Sequence, residues 1–338
     1  MHRLPERYTG RHEYAVTLYN QILTLFKSIE KSNALRTNLE AMPSADREGL
    51  RTLKDDALRE WLLAHGYADA VYRADYRHSL ATILTDALQF LLTALNSAEK
   101  GQLDVAYLLL RKPLRDELFY LEYLLAFPEE FLAFFNDPAG AEKLAFEERA
   151  LSKYKIVSVI EAALKQIGIP LFTAQGLYDL RFNTEDPSCF DRYYDQSNSL
   201  TVRRRYVADG NGSIGFDLSD EETRTARWDH FYRHVPPLML YMFSLVSKIV
   251  DAVAKLPKYW PLLQARYLLS LVYATNGNDF LVIRDHFREI FDGIRGTCDA
   301  CGETVAYDEK QFLQFAKTFS LKCQSCSKEY RLADAHDA

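Results

Sequence analysis

The chain has 338 residues, of which 48% are hydrophobic and 26% charged, with only 14 Gly and 11 Pro. These values exclude a disordered, collagen-like or disulfide-scaffold protein and provide interior for one large domain or two. The formal charge of −6 excludes an overall basic field that would hold nucleic acid or acidic lipid without a local patch.

Residues 1–12 are charged and lack the apolar stretch of about 7 to 15 residues that a secretory signal needs, so the cytoplasm is the expected compartment. Apolar residues then recur at three- and four-residue steps, predicting helices over 14–32, 46–65, 78–96, 103–127, 141–167, 224–254, 261–274 and 279–291. Breaks fall at Gly66, Gly101, Pro128, Asp137-Pro138 and Gly168-Ile169-Pro170, where a special backbone conformation or a missing donor stops a helix. The expected fold is therefore mainly α, a multi-helix bundle over 1–294.

The 103–127 segment is apolar nearly all round, as a helix at the centre of a bundle would be. Its charges gather: at 100° per residue Asp104, Arg111, Arg115 and Glu122 form one stripe. Pro113, between the two arginines, should bend the axis and open a cleft beside them. Either this is an exposed face with ordinary salt bridges, or Arg111, Arg115 and Glu122 form a buried network or anion site. The Arg111-Lys112-Pro113 helix resembles a recurring Arg-Lys-Pro helix in a group of bacterial helical proteins. That resemblance implies a helical fold and a role in phage defence, distantly HEPN-like, and brings no catalytic residues with it.

From 181 to 220 the helical pattern lapses, and 199–207 and 213–218 read as strands joined by Asp209-Gly210-Asn211-Gly212, the signature of a β-hairpin inserted in the helical body. Its first strand carries Arg203, Arg204 and Arg205, whose side chains alternate between faces. They are read either as a charged, solvated arm or as a contact for phosphate or a partner. Cys189, in the same interval, is read as an ordinary free thiol.

The following helix contains the longest apolar region, Val235 to Val253. Pro236, Pro237, Lys248 and Asp251 interrupt it too often for a membrane span, so no membrane is expected and it reads as a core helix. HEPN ribonucleases use Arg-x4-6-His on a helix, in which imidazole serves as acid or base and arginine stabilises the phosphorane. Arg227 with His234 matches that spacing and is the candidate catalytic pair, acting across a homodimer. The spacing is weakly informative, because Arg7 with His12, Arg59 with His65, Arg73 with His78, Arg224 with His230 and Arg331 with His336 share it. His230 and His234 also have the spacing of a metal pair, but no H-E-x-x-H glutamate accompanies them, so no second metal is expected. No phosphate-binding glycine motif or nucleophile elbow occurs.

The strongest signal is C-terminal. Cys298-Asp-Ala-Cys301 and Cys323-Gln-Ser-Cys326 are two C-x2-C pairs, each able to aim two sulfurs at one ion, and together they complete the four-thiolate shell of a structural zinc site. Gly302 and Ser327 follow the pairs and suit tight knuckles. Between the pairs, 304–307 reads as a strand and 308–319 as a helix, and 328–332 as a closing strand. The segment 295–338 resembles zinc ribbons, which implies a fold and one Zn2+ but does not indicate any substrate; a redox dithiol and an iron–sulfur cluster are the alternatives. Six Lys or Arg against seven Asp or Glu in 295–338 give a net of −1 and little attraction for phosphate. The expected function is a zinc-binding adaptor, sensor or regulator acting on a protein or nucleic-acid partner; the alternative is a HEPN-like ribonuclease or phosphodiesterase effector.

Overall fold

Long runs without Gly or Pro become helices because nothing interrupts their hydrogen-bond ladder. The structure, a computed structural model, describes residues 4–31, 42–50, 52–137, 151–169, 171–198, 206–208, 214–216, 221–291 and 297–332. In chain order the helices are α1 (Thr9–Lys31), α2 (Ser44–Leu50), α3 (Asp55–Ala64), α4 (Ala68–Glu99), α5 (Leu103–Arg111), α6 (Leu118–Ala126), α7 (Pro128–Phe135), α8 (Lys153–Ile167), α9 (Ala174–Phe182) and α10 (Phe190–Asn198). After the strands β1 (Tyr206–Ala208) and β2 (Ile214–Phe216) come α11 (Glu221–Ala254), α12 (Trp260–Thr275), α13 (Arg284–Phe291), α14 (Glu309–Thr318), β3 (Ser320–Lys322) and β4 (Glu329–Arg331).

The fold is mainly α. α11 lies along α1, α5 lies along α4, and α6 packs between α8 and α11. From Phe231 to Val250, α11 is buried at almost every position, which is why its sequence is apolar all round. α4 and α11 are both long and apolar enough to cross a membrane. Both place residues in the same hydrophobic core, among them Leu84 and Leu91 of α4 and Leu238 and Phe243 of α11.

Several expected elements change in detail. The helix expected over 46–65 is two helices, α2 and α3. The interval 181–220 begins with helix rather than irregular chain: α9 runs to Phe182 and α10 spans Phe190–Asn198. α10 buries only Phe190 and Tyr194, a single i, i+4 pair, too short a signal to show as periodicity. Its packing against α5, with the Tyr194 hydroxyl donating to Leu110 O at 3.4 Å, supplies what the pattern lacks. α7 also lies outside the expected set. β1 and β2 form the expected antiparallel hairpin, with Tyr206 opposite Phe216; Arg203, Arg204 and Arg205 lie outside the described residues, as does 141–150.

Pro113 produces a widened turn. It has no N–H to give the ladder, and Lys112–Glu117 adopts a π-helical turn in which Leu118 N–H bonds to Pro113 O, five residues back. Residues beyond that turn no longer keep 100° spacing with those before it. The stripe is accordingly spread over different depths: the side chain of Asp104 is 62% exposed, that of Arg115 12% and that of Glu122 0%.

α12 is shared between two hydrophobic clusters. Leu263, Tyr267 and Leu271 join the large helical core; Leu262 and Leu269 join a second cluster with Phe287, Phe291, Phe312, Phe315, Leu321 and Tyr330. The C-terminal segment thus packs on α12 and α13 through a core rich in phenylalanine.

Candidate metal centre

Each Cys-x2-Cys pair closes a knuckle of the same design. Gly302 N–H donates to Cys298 O at 2.8 Å, and Cys298 N–H to Glu303 O at 2.7 Å. In the second knuckle Ser327 N–H donates to Cys323 O at 3.0 Å, and Cys323 N–H to Lys328 O at 2.9 Å. Gly302 and Ser327 hold equivalent positions and are both left-handed, with φ of 75° and 62°; glycine adopts this readily and serine at some cost. Reversing the chain there turns the sulfurs of a pair to one side.

The Sγ atoms of Cys298, Cys301, Cys323 and Cys326 all lie within 4.8 Å of one another. Cys298 is 3.6 Å from Cys326 and Cys301 is 3.7 Å from Cys323. A tetrahedral site with metal–sulfur bonds of about 2.3 Å sets its sulfurs about 3.8 Å apart, and a disulfide about 2.05 Å. The cluster therefore has the spacing of a metal cage rather than of two disulfides, and can hold a metal ion. Cys298 and Cys323 are buried against the second core, while Cys301 and Cys326 face outward.

Neighbouring groups orient this shell. The Tyr330 hydroxyl lies 3.0 Å from Cys298 Sγ and bonds to Asp299, whose carboxylate also accepts from Lys328 Nζ at 2.9 Å. The Tyr330 contact is the main reason the Cys298 thiol is pulled down to about 6. At Cys301 the Glu303 amide favours the thiolate, but desolvation and the three adjacent sulfurs together push the thiol up to about 12. A cation among the sulfurs would offset that effect with its own charge and hold all four as thiolates.

The scaffold is fixed from behind. α14 starts on Asp308, whose side chain accepts from Gln311 N at 3.0 Å. Buried Gln311 grips β3 through Lys322, donating to its carbonyl and accepting from its amide. β3 pairs antiparallel with β4, Leu321 opposite Tyr330, and a single bridge links Thr297 with Thr304. At the other end of α14, Arg266 of α12 donates to Ala316 O at 2.9 and 2.6 Å and to Lys317 O at 3.2 Å, satisfying carbonyls the helix leaves open. Gln311, Tyr330 and Arg266 carry no spacing signal, so only their contacts reveal them.

No protein-family model, curated protein or solved structure matches the chain. The two resemblances in the sequence therefore stand on their own residues, and of these only the cysteine cluster has geometry behind it.

The other candidates are placed as follows. Arg227 donates to Asp104 at 2.5 Å and to Ser197 Oγ at 2.7 Å, and lies over the Tyr107 ring. His234, two turns further along α11, is half-buried, with its ring 4.8 Å from that of His230; burial first, then Arg233, pulls it down to about 4. His230 is buried with both nitrogens engaged, Nδ1 2.8 Å from the Tyr107 hydroxyl and Nε2 2.8 Å from Ser188 O, and Tyr193 stacks on it at 3.7 Å. Arg111 is exposed. Arg115 donates to Asp191 at 2.7 Å and Asp116 at 2.9 Å. Glu122 receives both bonds of Arg181 Nη2, at 2.7 and 2.8 Å, in the centre of the core. Cys189 is fully buried, and burial pushes its thiol up to about 11.

Proposed function

We propose that the chain is a zinc-binding helical adaptor, in which one Zn2+ held by Cys298, Cys301, Cys323 and Cys326 secures the C-terminal segment against α12 and α13. The observation that carries this is the sulfur cluster, with two edges of 3.6 and 3.7 Å, close to the tetrahedral value for zinc thiolate. Four soft thiolates select zinc over the hard cations. A full thiolate shell leaves no open position for water or substrate, so the ion's role is structural. The ordered surface it creates serves to bind, and with a net charge of −1 over 295–338 a protein suits that surface better than a phosphate backbone. A place in phage defence rests on the Arg-Lys-Pro helix alone.

The test is elemental analysis of freshly purified protein alongside Cys301→Ser/Cys326→Ser, which alters the two exposed ligands and disturbs packing least. One zinc per chain in the parent and none in the variant is expected. Protein lacking metal, or carrying iron, would overturn the reading. Mixed RNA incubated with the protein should remain intact; cleavage lost in His234→Ala and retained in His78→Ala would replace the adaptor with a nuclease.

A further inference from the structure

Part of the charged stripe on the 103–127 segment survives intact. α5 ends at Arg111, before the widened turn, so 100° spacing still holds along it. Leu103, Ala106, Tyr107 and Leu110 are buried on one side, and Asp104, Val105, Leu108 and Arg111 are exposed on the other. Val105 and Leu108 are 46% and 41% exposed and neighbours at i, i+3. They hold apolar surface in water that a partner would bury.

The two charges on this side bracket the apolar pair. Asp104 and Arg111 are seven residues apart, about 10 Å along the axis and about 20° in arc, so they stand at opposite ends of one edge. Arg111 makes no hydrogen bond or ion pair among the described residues. Asp191, which feels its charge, is bonded to Arg115 at 2.7 Å. Asp104 accepts from Arg227 through Oδ1, yet its side chain stays 62% exposed, with nothing bonded to Oδ2 among the described residues.

We propose that this face of α5 is a contact between two copies of the chain, closed by two Asp104–Arg111 ion pairs around Leu108 and Val105. A two-fold axis between Tyr107 and Leu108 runs the second α5 antiparallel to the first and keeps each side chain on its own edge. Asp104 then meets the second copy's Arg111, the reverse pair forms by symmetry, and Leu108 packs on Leu108 beside the axis. A parallel arrangement would set Asp104 level with Asp104 and Arg111 level with Arg111, so the charges select the antiparallel register. α5 has nine residues, too few to reach the roughly 800 Å² per partner of a standard interface, so the dissociation constant should be on the order of 10–500 μM. The contact is independent of the metal centre and of the adaptor reading.

Sedimentation equilibrium of the full-length protein at low salt, from about 5 to 1,000 μM, tests it. The average mass should rise with concentration from that of one chain towards that of two. Arg111→Glu sets acid against acid and Asp104→Arg sets base against base, so each alone should weaken association about tenfold or more. Mixed in equal amounts, the two variants should associate as the parent does, because both contacts then join opposite charges. Both positions are exposed, so melting curves should match the parent's; if Asp104→Arg melts early, Arg111→Glu and Leu108→Ser decide the matter. Leu108→Ser should weaken association, and Leu281→Ser, at an exposed leucine ahead of α13, should leave it unchanged. A one-chain mass at every concentration, association indifferent to Arg111→Glu, or no recovery on mixing two folded variants would overturn the proposal.

Discussion

Breaking the ion pair between Glu122 and Arg181 should have opposite pH dependence according to which partner is removed. The side chains are 0% and 1% exposed, so neither charge has access to water. Arg181 Nη2 serves both carboxylate oxygens, while Nη1 is buried without a hydrogen-bond partner among the described residues. Such a pair, cut on one side, typically destabilises by about 3–5 kcal/mol, because the remaining ion stays buried. In Glu122→Gln that ion is a guanidinium, which cannot lose its proton, so the full penalty should appear at every pH. In Arg181→Met it is a carboxyl, which burial already holds above its usual value and which rises further without its partner. A carboxyl raised in the folded state favours folding at low pH and loses stability as pH climbs past its unfolded value, by about 1.4 kcal/mol per unit until the folded value is reached. Arg181→Met should therefore lose clearly less stability at about pH 5.5 than at pH 8. Glu122→Leu/Arg181→Met, with no charge left to bury, should return to within about 1 kcal/mol of the parent or exceed it. Urea unfolding followed by far-UV circular dichroism at the two pH values measures all three. A double variant as unstable as Glu122→Gln alone, or an Arg181→Met penalty that does not shrink on acidification, would refute the reasoning.

Glu117, in the π-helical turn, is pushed up to about 8 by burial against the opposing pull of Lys112. The native state consequently loses stability as pH rises from the unfolded carboxyl value towards 8, and Glu117→Gln should be more stable than the parent by about 1–3 kcal/mol at pH 8, with the gap closing near pH 4.5, in the same urea assay. Ser327→Gly removes a side chain from a left-handed position and should tighten zinc by about two- to fivefold in a chelator competition; weaker binding would mean the Ser327 side chain supports the knuckle. Arg266→Ala deletes three bonds to the last carbonyls of α14 and should speed amide exchange in 309–332 by about tenfold or more while leaving α11 unchanged.

Local signals carry much of the chain. The helices α1, α4, α8, α11 and α12 follow from apolar residues recurring at three- and four-residue steps, and Asp308 ahead of α14 is a cap visible in the sequence. The four sulfurs are the clearest case, because C-x2-C spacing nearly dictates that two sulfurs point at one ion, and the residues at positions 302 and 327 complete each turn. Two pairs 21 residues apart need only a short helix and a hairpin between them to meet.

What spacing along a uniform helix could not anticipate was the effect of Pro113. A widened turn shifts the rotation of everything after it, so four charges on a common stripe became an exposed acid at Asp104, an exposed base at Arg111, the Arg115–Asp191 pair and the fully buried Glu122. Glu122's partner, Arg181, lies 59 residues away, beyond any local pattern. α10 is likewise a product of distant elements closing on one another, since it is set by its packing on α5. Periodicity and spacing report what a segment does with its own neighbours; burial, ion pairing and cavities depend on which surfaces arrive from elsewhere in the chain, and only tertiary packing settles that.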